Sequence, residues 1–299
     1  MAYYFNEKRN LDAQHMIING SPSQDVAIAD RGFNFGDGHF TTIKIAAGQA
    51  LLLDLHVTRL QQACAVLAIE FELWGELVTV ITQQAQVLQK GVLKVTITRG
   101  EGGRGYGYVY GTMGCSSANW YVQHRPMPVT YCEWAKSGIE LMLCDYQQTV
   151  NPALAGLKTL NRLDQVMIKQ ELEAHNMADG LVCSTEGYVI ETSVANVFWV
   201  KDGKVYTPST KRSGVEGVMK THILNLLNTL VFPLESGDYA VADVLAADEV
   251  FITNSVMEVV PVKAVLKHVG NSDNDASYYD LSVNDSSVWR LLQRELRQE

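Results

Sequence analysis

Two dipeptides in the second half of the chain constrain its fold most strongly. Two largely apolar segments, residues 181–191 and 196–207, are interrupted at Glu186-Gly187 and at Asp202-Gly203. Glycine after a polar residue is typical of the tight turn of a β-hairpin, because that turn requires positive φ angles. Each segment therefore predicts two antiparallel strands joined by a short turn.

Helical and strand-like patterns are mixed over the rest of the chain. The predicted helices cover residues 55–64, 160–174 and 217–230, and the predicted strands cover residues 92–99, 139–144 and 249–253. Asp54 is the expected N-cap of the first of these helices. The mixture predicts an α/β (α+β) fold.

The length of the chain favours two domains. Its 299 residues exceed what one ordinary hydrophobic core supports, and 47% of them are apolar. Pro126 and Pro128 are the only closely spaced prolines, which favours a linker at that point. We expect the following segments: an N-terminal extension over residues 1–15, a smaller α/β domain over 16–125, a linker over 126–132 and a larger domain over 133–299.

Charge and cysteine content narrow the possible functions. The net charge of −9 argues against a nucleic-acid backbone as the main partner. Five cysteines without a Cys-x-x-Cys pair favour reduced thiols and predict neither a disulfide framework nor a metal site. We see neither a membrane-spanning apolar run nor a signal-peptide core, so we expect a cytoplasmic protein.

Residues 100–105 match the glycine pattern of a dinucleotide-binding loop, but the match is misleading. That loop must open a helix, whereas residues 106–111 are rich in glycine and tyrosine, and no acid follows at the distance needed to bind a ribose. We interpret the segment as a flexible loop that presents Arg104. The guanidinium group is well shaped for a carboxylate.

Lys158 and Glu191 are candidates for chemistry with an aldehyde cofactor. Lys158 precedes the predicted helix 160–174, and a lysine with a lowered pKa forms a Schiff base with an aldehyde. Glu191 ends a predicted hairpin strand, where its carboxylate could keep a pyridine nitrogen protonated. Taken singly, both residues also fit ordinary surface positions.

Three further places suggest a site for a phosphate group. The amides of Val218 and Met219 open the predicted helix 217–230, and free amides at a helix start bind anions. Arg59 offers a positive charge, and Asn254 and Ser255 offer short polar side chains after a strand. Each feature is common by itself.

Taken together and in order, these residues resemble the fold type IV pyridoxal-phosphate enzymes, which include aminotransferases and aminodeoxychorismate lyases. The resemblance runs from about residue 16 to residue 261 and rests on these motifs: residues 30–38, 56–60, 156–163, 191–198 and 217–219. It implies two α/β domains with pyridoxal 5'-phosphate between them, the larger domain binding the cofactor, and a homodimer. It also implies roles for the following residues: Lys158 as the Schiff-base lysine, Glu191 at the pyridine nitrogen, and Arg59, Val218, Met219, Asn254 and Ser255 around the phosphate.

Within that family the chain is most similar to the aminodeoxychorismate lyases, through residues 35–42, 99–106 and 158–163. Arg162 stands where branched-chain aminotransferases have tyrosine, and Thr41 where D-amino-acid aminotransferases have glutamate. Lys220 and Ser255 depart from the usual pattern. The resemblance implies conversion of 4-amino-4-deoxychorismate to 4-aminobenzoate and pyruvate in folate biosynthesis.

The resemblance also suggests roles on the substrate side. Lys158 would remove the C4 proton, and the hydroxyl of Thr41 or Thr42 would assist the leaving group. Arg104 and Tyr106 would bind substrate carboxylates, and Arg162 would lie near the cofactor's phenolate oxygen. Two alternatives stay open: a D-amino-acid or branched-chain aminotransferase of the same fold, and a non-catalytic cofactor-binding protein.

Overall fold

The computed structural model of the chain describes residues 16–23, 25–102, 105–108, 117–267, 276–278 and 287–297. They divide into two compact units. Unit 1 comprises the described residues up to Met127 together with Lys158–Asn161, and unit 2 comprises Pro128–Leu157 and the described residues from Arg162 onward. The short segment Lys158–Asn161 therefore belongs to unit 1, although the sequence places it within residues 133–299.

Unit 1 is built on an antiparallel sheet. Its strands are β1 (Met16–Ile18), β2 (Ser21–Pro22), β3 (Gly38–Ala46), β4 (Gln49–Ala50), β5 (Gly91–Thr98) and β6 (Asn119–Arg125). They lie in the order β2-β1-β6-β5-β3-β4, and every pair is antiparallel. Its helices are α1 (Arg31–Phe35), α2 (Leu53–Leu67) and α3 (Trp74–Leu88).

The core of unit 1 lies on one face of this sheet. Alternate residues of β3 are buried, including Ile43 and Ile45, as the period of two in a half-buried strand requires. Helices α2 and α3 contribute Leu60 and Leu77 to the same core. Asp54 is not the N-cap of α2, because the cap position is Leu52; Asp54 lies in the first turn, where its charge favours the helix dipole.

Unit 2 contains a larger mixed sheet. Its strands are β7 (Ile139–Gln148), β8 (Asp179–Ser184), β9 (Val189–Thr192), β10 (Asn196–Lys201), β11 (Lys204–Pro208), β12 (Leu234–Gly237), β13 (Glu249–Asn254), β14 (Glu258–Leu266) and β15 (Ala276–Tyr278). They lie in the order β12-β11-β10-β13-β14-β7-β8-β9, with β15 paired to β14. Its helices are α4 (Tyr131–Ser137), α5 (Leu163–Ala174), α6 (Val218–Thr229), α7 (Val241–Leu245) and α8 (Val288–Glu295). In the described part of the chain, no helix is both long enough and apolar enough to cross a bilayer.

Both predicted hairpins are confirmed, as β8–β9 and β10–β11. Asp202 and Gly203 have φ angles of 49° and 74°, so the second turn takes positive φ at both central residues, as the type I′ geometry requires. Strands β9 and β10 are almost wholly buried, and the rings of Phe198 in β10 and Phe251 in the neighbouring β13 stack 5.2 Å apart.

Helix α5 begins at Leu163, three residues later than the sequence predicts. The reason is that the preceding segment pairs with the edge of β3. The amide of Phe40 donates to the carbonyl of Lys158 at 2.9 Å, and the amide of Leu160 donates to the carbonyl of Gly38 at 2.9 Å. Extended backbone that is bonded in this way cannot also be helical.

Candidate active site

The pairing with β3 fixes the position of Lys158. Its Nζ lies 4.9 Å from the centre of the Phe40 ring, and the Nζ of Lys94 lies 4.7 Å from the centre of the same ring. An ammonium group over an aromatic face is stabilised by the quadrupole of the ring. Two amines therefore lie at this ring. Burial, followed by the charge of Arg125, lowers the pKa of Lys94.

Thr41 and Thr42 lie on opposite faces of β3. Thr42 alternates with Phe40, and it is paired in register with Lys94. It therefore shares the face on which the Lys158 ammonium lies. Thr41 is fully buried on the other face. Of the two hydroxyls suggested for the leaving group, the geometry makes only that of Thr42 available beside Lys158.

The buried hydroxyl of Thr41 has two partners from helix α2. It accepts a hydrogen bond from Nη2 of Arg59, and it lies 2.6 Å from Nδ1 of His56. The Nε of Arg59 is buried and has no hydrogen-bond partner among the described residues. Burial lowers the pKa of Arg59 to about 10, which leaves the guanidinium charged at neutral pH. A charged, buried and unsatisfied donor is suited to an anionic ligand.

A second histidine on the same side of the sheet contacts a thiol. The Nε2 of His39 lies 3.2 Å from the Sγ of Cys64. Burial, and then the charge of Arg59, lowers the pKa of His39 to about 4, while burial raises the pKa of Cys64 to about 12. Both shifts oppose a thiolate–imidazolium pair, so this contact lacks the activation of a cysteine nucleophile.

Arg31 holds the loop that carries the predicted substrate-binding residues. Its guanidinium donates to the carbonyls of Gly105 and Tyr106, at 3.2 and 2.9 Å, and to the carboxylate of Asp37 at 2.9 Å. Tyr106 is 86% exposed, as a residue that meets substrate can be. Arg104, predicted as its companion, lies outside the described residues.

The carboxylate of Glu191, in unit 2, is held by two hydrogen-bond donors. It is buried at the end of β9, and its Oε2 accepts a hydrogen bond from the amide of Val215 at 3.0 Å. The Nδ2 of Asn196 lies 3.4 Å from the same oxygen and also donates to the carbonyl of Val215 at 2.8 Å. Hydrogen bonds from these two donors favour the ionised carboxylate and fix its orientation.

The backbone beside Glu191 requires glycine. Gly214 has a φ of +81°, and a Cβ added there would lie 2.6 Å from Cγ2 of Ile190 and 3.5 Å from the carboxyl carbon of Glu191. We expect Gly187→Ala, at a φ of +85° with nothing within 4 Å, to cost about 1–2 kcal/mol of unfolding free energy. Gly214→Ala should cost about 1–3 kcal/mol more, because it also overpacks a buried contact. Urea unfolding of the two variants tests this, and equal losses would contradict it.

Arg162 and the start of α6 lie in the same unit as Glu191. Burial lowers the pKa of Arg162, while the carboxylates of Glu191 and Asp164 oppose that shift, so Arg162 lies within electrostatic reach of Glu191. Val218 and Met219 are the first two residues of α6, and the helix has no side-chain cap at Gly217. Their amides therefore present the positive end of the helix dipole.

The turn after β13 contains the last two predicted cofactor residues. The side-chain oxygen of Asn254 accepts from the amides of Val256 and Met257, both at 2.9 Å, and its amide donates to the carbonyl of Val194 at 3.2 Å. These bonds give the Asn254 side chain a role in shaping the turn. Ser255 is half-buried in that turn.

Three residues with contacts to these groups received no role from the sequence: His56, Asn196 and Arg31. His56 lies three residues before Arg59, so both are on one face of a helix, and that spacing is the signal that could have revealed it. Asn196 and Arg31 belong to the resemblance motifs, but their partners are far away along the chain.

The chain belongs to the class IV aminotransferase family, whose model, amino-transferase class IV, matches residues 38–265. Aminodeoxychorismate lyase of Vibrio harveyi is 35% identical over 248 residues, which are 83% of this chain and 90% of that protein. D-alanine aminotransferase of Bacillus licheniformis is 28% identical over 243 residues, 80% of this chain and 83% of that protein.

Among solved structures, 4-amino-4-deoxychorismate lyase from Pseudomonas aeruginosa is similar, with a TM-score of 0.84 and 32% sequence identity. The match covers 95% of this chain and 98% of that chain. The mixed α/β fold of the fold type IV enzymes, predicted from the spaced motifs, is therefore confirmed.

Proposed function

We propose that this chain is a pyridoxal-phosphate-dependent carbon–oxygen lyase that converts 4-amino-4-deoxychorismate to 4-aminobenzoate and pyruvate. The similarity to aminodeoxychorismate lyase of Vibrio harveyi supports this function. The structural observation that carries it is the common face of Lys158 and Thr42, because a syn elimination needs its base and its acid on the same side of the reacting carbons.

Taken unit by unit, the described residues suit the chemical groups of pyridoxal 5'-phosphate. The unsatisfied Nε of Arg59 and the amides of Val218 and Met219 suit a phosphate, and the buried carboxylate of Glu191 suits a protonated ring nitrogen. When bound, this cofactor supplies an aldehyde that takes up an amine and a ring that withdraws electrons from the adjacent carbon. The turn with Asn254 and Ser255 would border the phosphate.

Lys158 and Thr42 have complementary tasks in this reaction. The Nζ of Lys158 removes the proton from C4 of the substrate, the carbon that bears the amine. The electron pair of that C–H bond forms the new ring double bond as the bond from C3 to the enolpyruvyl oxygen breaks. The hydroxyl of Thr42 supplies a proton to the departing oxygen, and the released enol becomes pyruvate.

The remaining residues bind and orient. Glu191 would hold a proton at the pyridine nitrogen of the bound cofactor, and Arg162 would lie on the side of its phenolate oxygen. Tyr106 and Arg104 bind substrate carboxylates, and Arg31 holds their loop through the two carbonyls it contacts. The resemblance further implies a cytoplasmic homodimer, which we propose with the function and which sedimentation of the purified protein would test.

The reaction can be separated from transamination by a single pair of assays. We expect 4-amino-4-deoxychorismate to yield equal amounts of 4-aminobenzoate and pyruvate, detected by chromatography. D-alanine or a branched-chain amino acid, offered with 2-oxoglutarate, should give glutamate far more slowly. The 28% identity to D-alanine aminotransferase makes that comparison necessary. Rapid glutamate formation without 4-aminobenzoate would establish the aminotransferase alternative instead.

A further inference from the structure

The hydroxyl of Thr41 connects a strand of unit 1 to two residues of one helix. It lies between Nη2 of Arg59 and Nδ1 of His56, and Thr41 and His56 are both almost completely buried. Neither Thr41 nor His56 shares the face of Lys158. Their contacts converge on the residue that offers its charge to the cofactor phosphate.

The direction of the hydrogen bond between Arg59 and Thr41 follows from the groups involved. Arginine has no acceptor, so Arg59 donates to the oxygen of Thr41. A second hydrogen bond joins the hydroxyl of Thr41 to Nδ1 of His56, and its direction depends on the tautomer of the ring. Burial, and then the charge of Arg59, lowers the pKa of His56 well below its ordinary value, so the imidazole is neutral.

This arrangement orients Arg59 through contacts within the protein. One donor of the guanidinium is committed to Thr41, and that bond determines where the buried Nε points. A long arginine side chain that is already immobilised loses less conformational entropy when it binds an anion. The acceptor at Thr41 is itself fixed by His56, so the order extends through both hydrogen bonds.

We propose that Thr41 and His56 are positioning residues that hold Arg59 in the geometry that binds the phosphate of pyridoxal 5'-phosphate. The inference rests on the proposed function, since that function assigns the phosphate to Arg59. It changes the role of Thr41 from a hydroxyl beside the substrate to a support behind the cofactor. It also gives His56 a role that does not require proton transfer.

The test compares two cofactors on the apo-protein. Dissociation constants for pyridoxal 5'-phosphate and for pyridoxal, which lacks the phosphate, are measured by absorbance titration. Thr41→Val should weaken binding of pyridoxal phosphate about tenfold, the effect of losing one hydrogen bond to a charged group. It should leave pyridoxal binding unchanged, because pyridoxal makes no contact through Arg59. Arg59→Gln should show the same pattern with a larger loss.

Conservative variants serve as internal controls. Thr41→Ser keeps the hydroxyl and should bind both compounds like the parent. His56→Asn keeps a hydrogen-bonding group at the position of Nδ1 and should retain binding, whereas His56→Leu should weaken binding of pyridoxal phosphate alone. This second pair decides the question if Thr41→Val does not fold. Thr58 lies next to Arg59 in the sequence, and its exposed hydroxyl donates to the Asp54 carbonyl at 2.8 Å. Thr58→Val should therefore change neither constant.

Two results would overturn the inference. If Thr41→Val and His56→Leu weaken binding of both compounds equally, their role is only to support the fold. If neither variant changes binding while Arg59→Gln does, Arg59 does not depend on these contacts. A third result would contradict the proposed cofactor site itself. If Arg59→Gln leaves binding of pyridoxal phosphate intact, the assignment of the phosphate to Arg59 is wrong, and the inference fails with it.

Discussion

Replacing Lys158 with alanine should lower turnover of 4-amino-4-deoxychorismate by about 10²–10⁴-fold or more, the contribution typical of a positioned general base. The same change should abolish covalent attachment of the cofactor, because the Nζ that forms the linkage is removed. Production of 4-aminobenzoate measures the first effect. Borohydride reduction followed by mass spectrometry of the peptides measures the second.

Lys94 provides a matched test within the same protein. Its Nζ is as close to the Phe40 ring as that of Lys158, and burial lowers its pKa. Proximity to the ring and an accessible amine therefore do not distinguish the two lysines. The pairing of Lys158 with β3 and the similarity to the lyases favour Lys158. We expect the reduced label on Lys158 alone, also in the variant Lys94→Met.

The labelling result also separates the catalytic from the non-catalytic alternative. A label on Lys94 would transfer the assignment to the other amine. A parent protein that carries the label on Lys158 but releases no 4-aminobenzoate and no glutamate would be a cofactor-binding protein without this chemistry. Lys158→Arg is a further control, since it keeps the charge but lacks an amine that can attack an aldehyde.

Features encoded by neighbouring residues were predictable from the sequence. The turn at Asp202-Gly203 depends on two consecutive residues that accept positive φ, and it forms as predicted. Helix α6 begins at Val218, within one residue of the predicted start. Its start was predictable because the amphipathic pattern and the preceding glycine are local signals. The β8–β9 hairpin was predictable for the same reason, because its turn is encoded by residues that are adjacent in the sequence.

Features that depend on distant residues were not predictable in this way. Residues 160–162 have helical spacing, yet Lys158–Asn161 pairs with β3, and a long-range backbone interaction overrides local propensity. Alternation places Thr41 and Thr42 on opposite faces of a strand. It does not reveal which face α2 covers, so both hydroxyls were predicted for one role, although only Thr42 lies on the face of Lys158.

Glu191→Gln is the second change for which we expect a large effect. The substitution preserves shape, but an amide presents one acceptor and one donor where the carboxylate presents two acceptors. The amide of Val215 donates to the existing carboxylate at 3.0 Å, so the oxygen of glutamine should turn toward Val215. Its NH₂ group would then face the pyridine nitrogen and could not hold a proton there. We expect kcat to fall by about 100-fold or more, as when one preorganised polar group is lost from an active site.

A cofactor analogue distinguishes this electrostatic role from a structural one. In 1-deaza-pyridoxal phosphate a carbon replaces the ring nitrogen, so a carboxylate has no proton to share with the ring. The parent and Glu191→Gln should bind this analogue equally, whereas the parent should bind pyridoxal phosphate more tightly than the variant. Glu186→Gln, an exposed change in the neighbouring turn, should alter neither affinity. A contact with the ring nitrogen cannot affect an analogue that lacks this nitrogen. If Glu191→Gln weakened binding of both compounds alike, the carboxylate would therefore serve to hold Val215 and the adjoining loop.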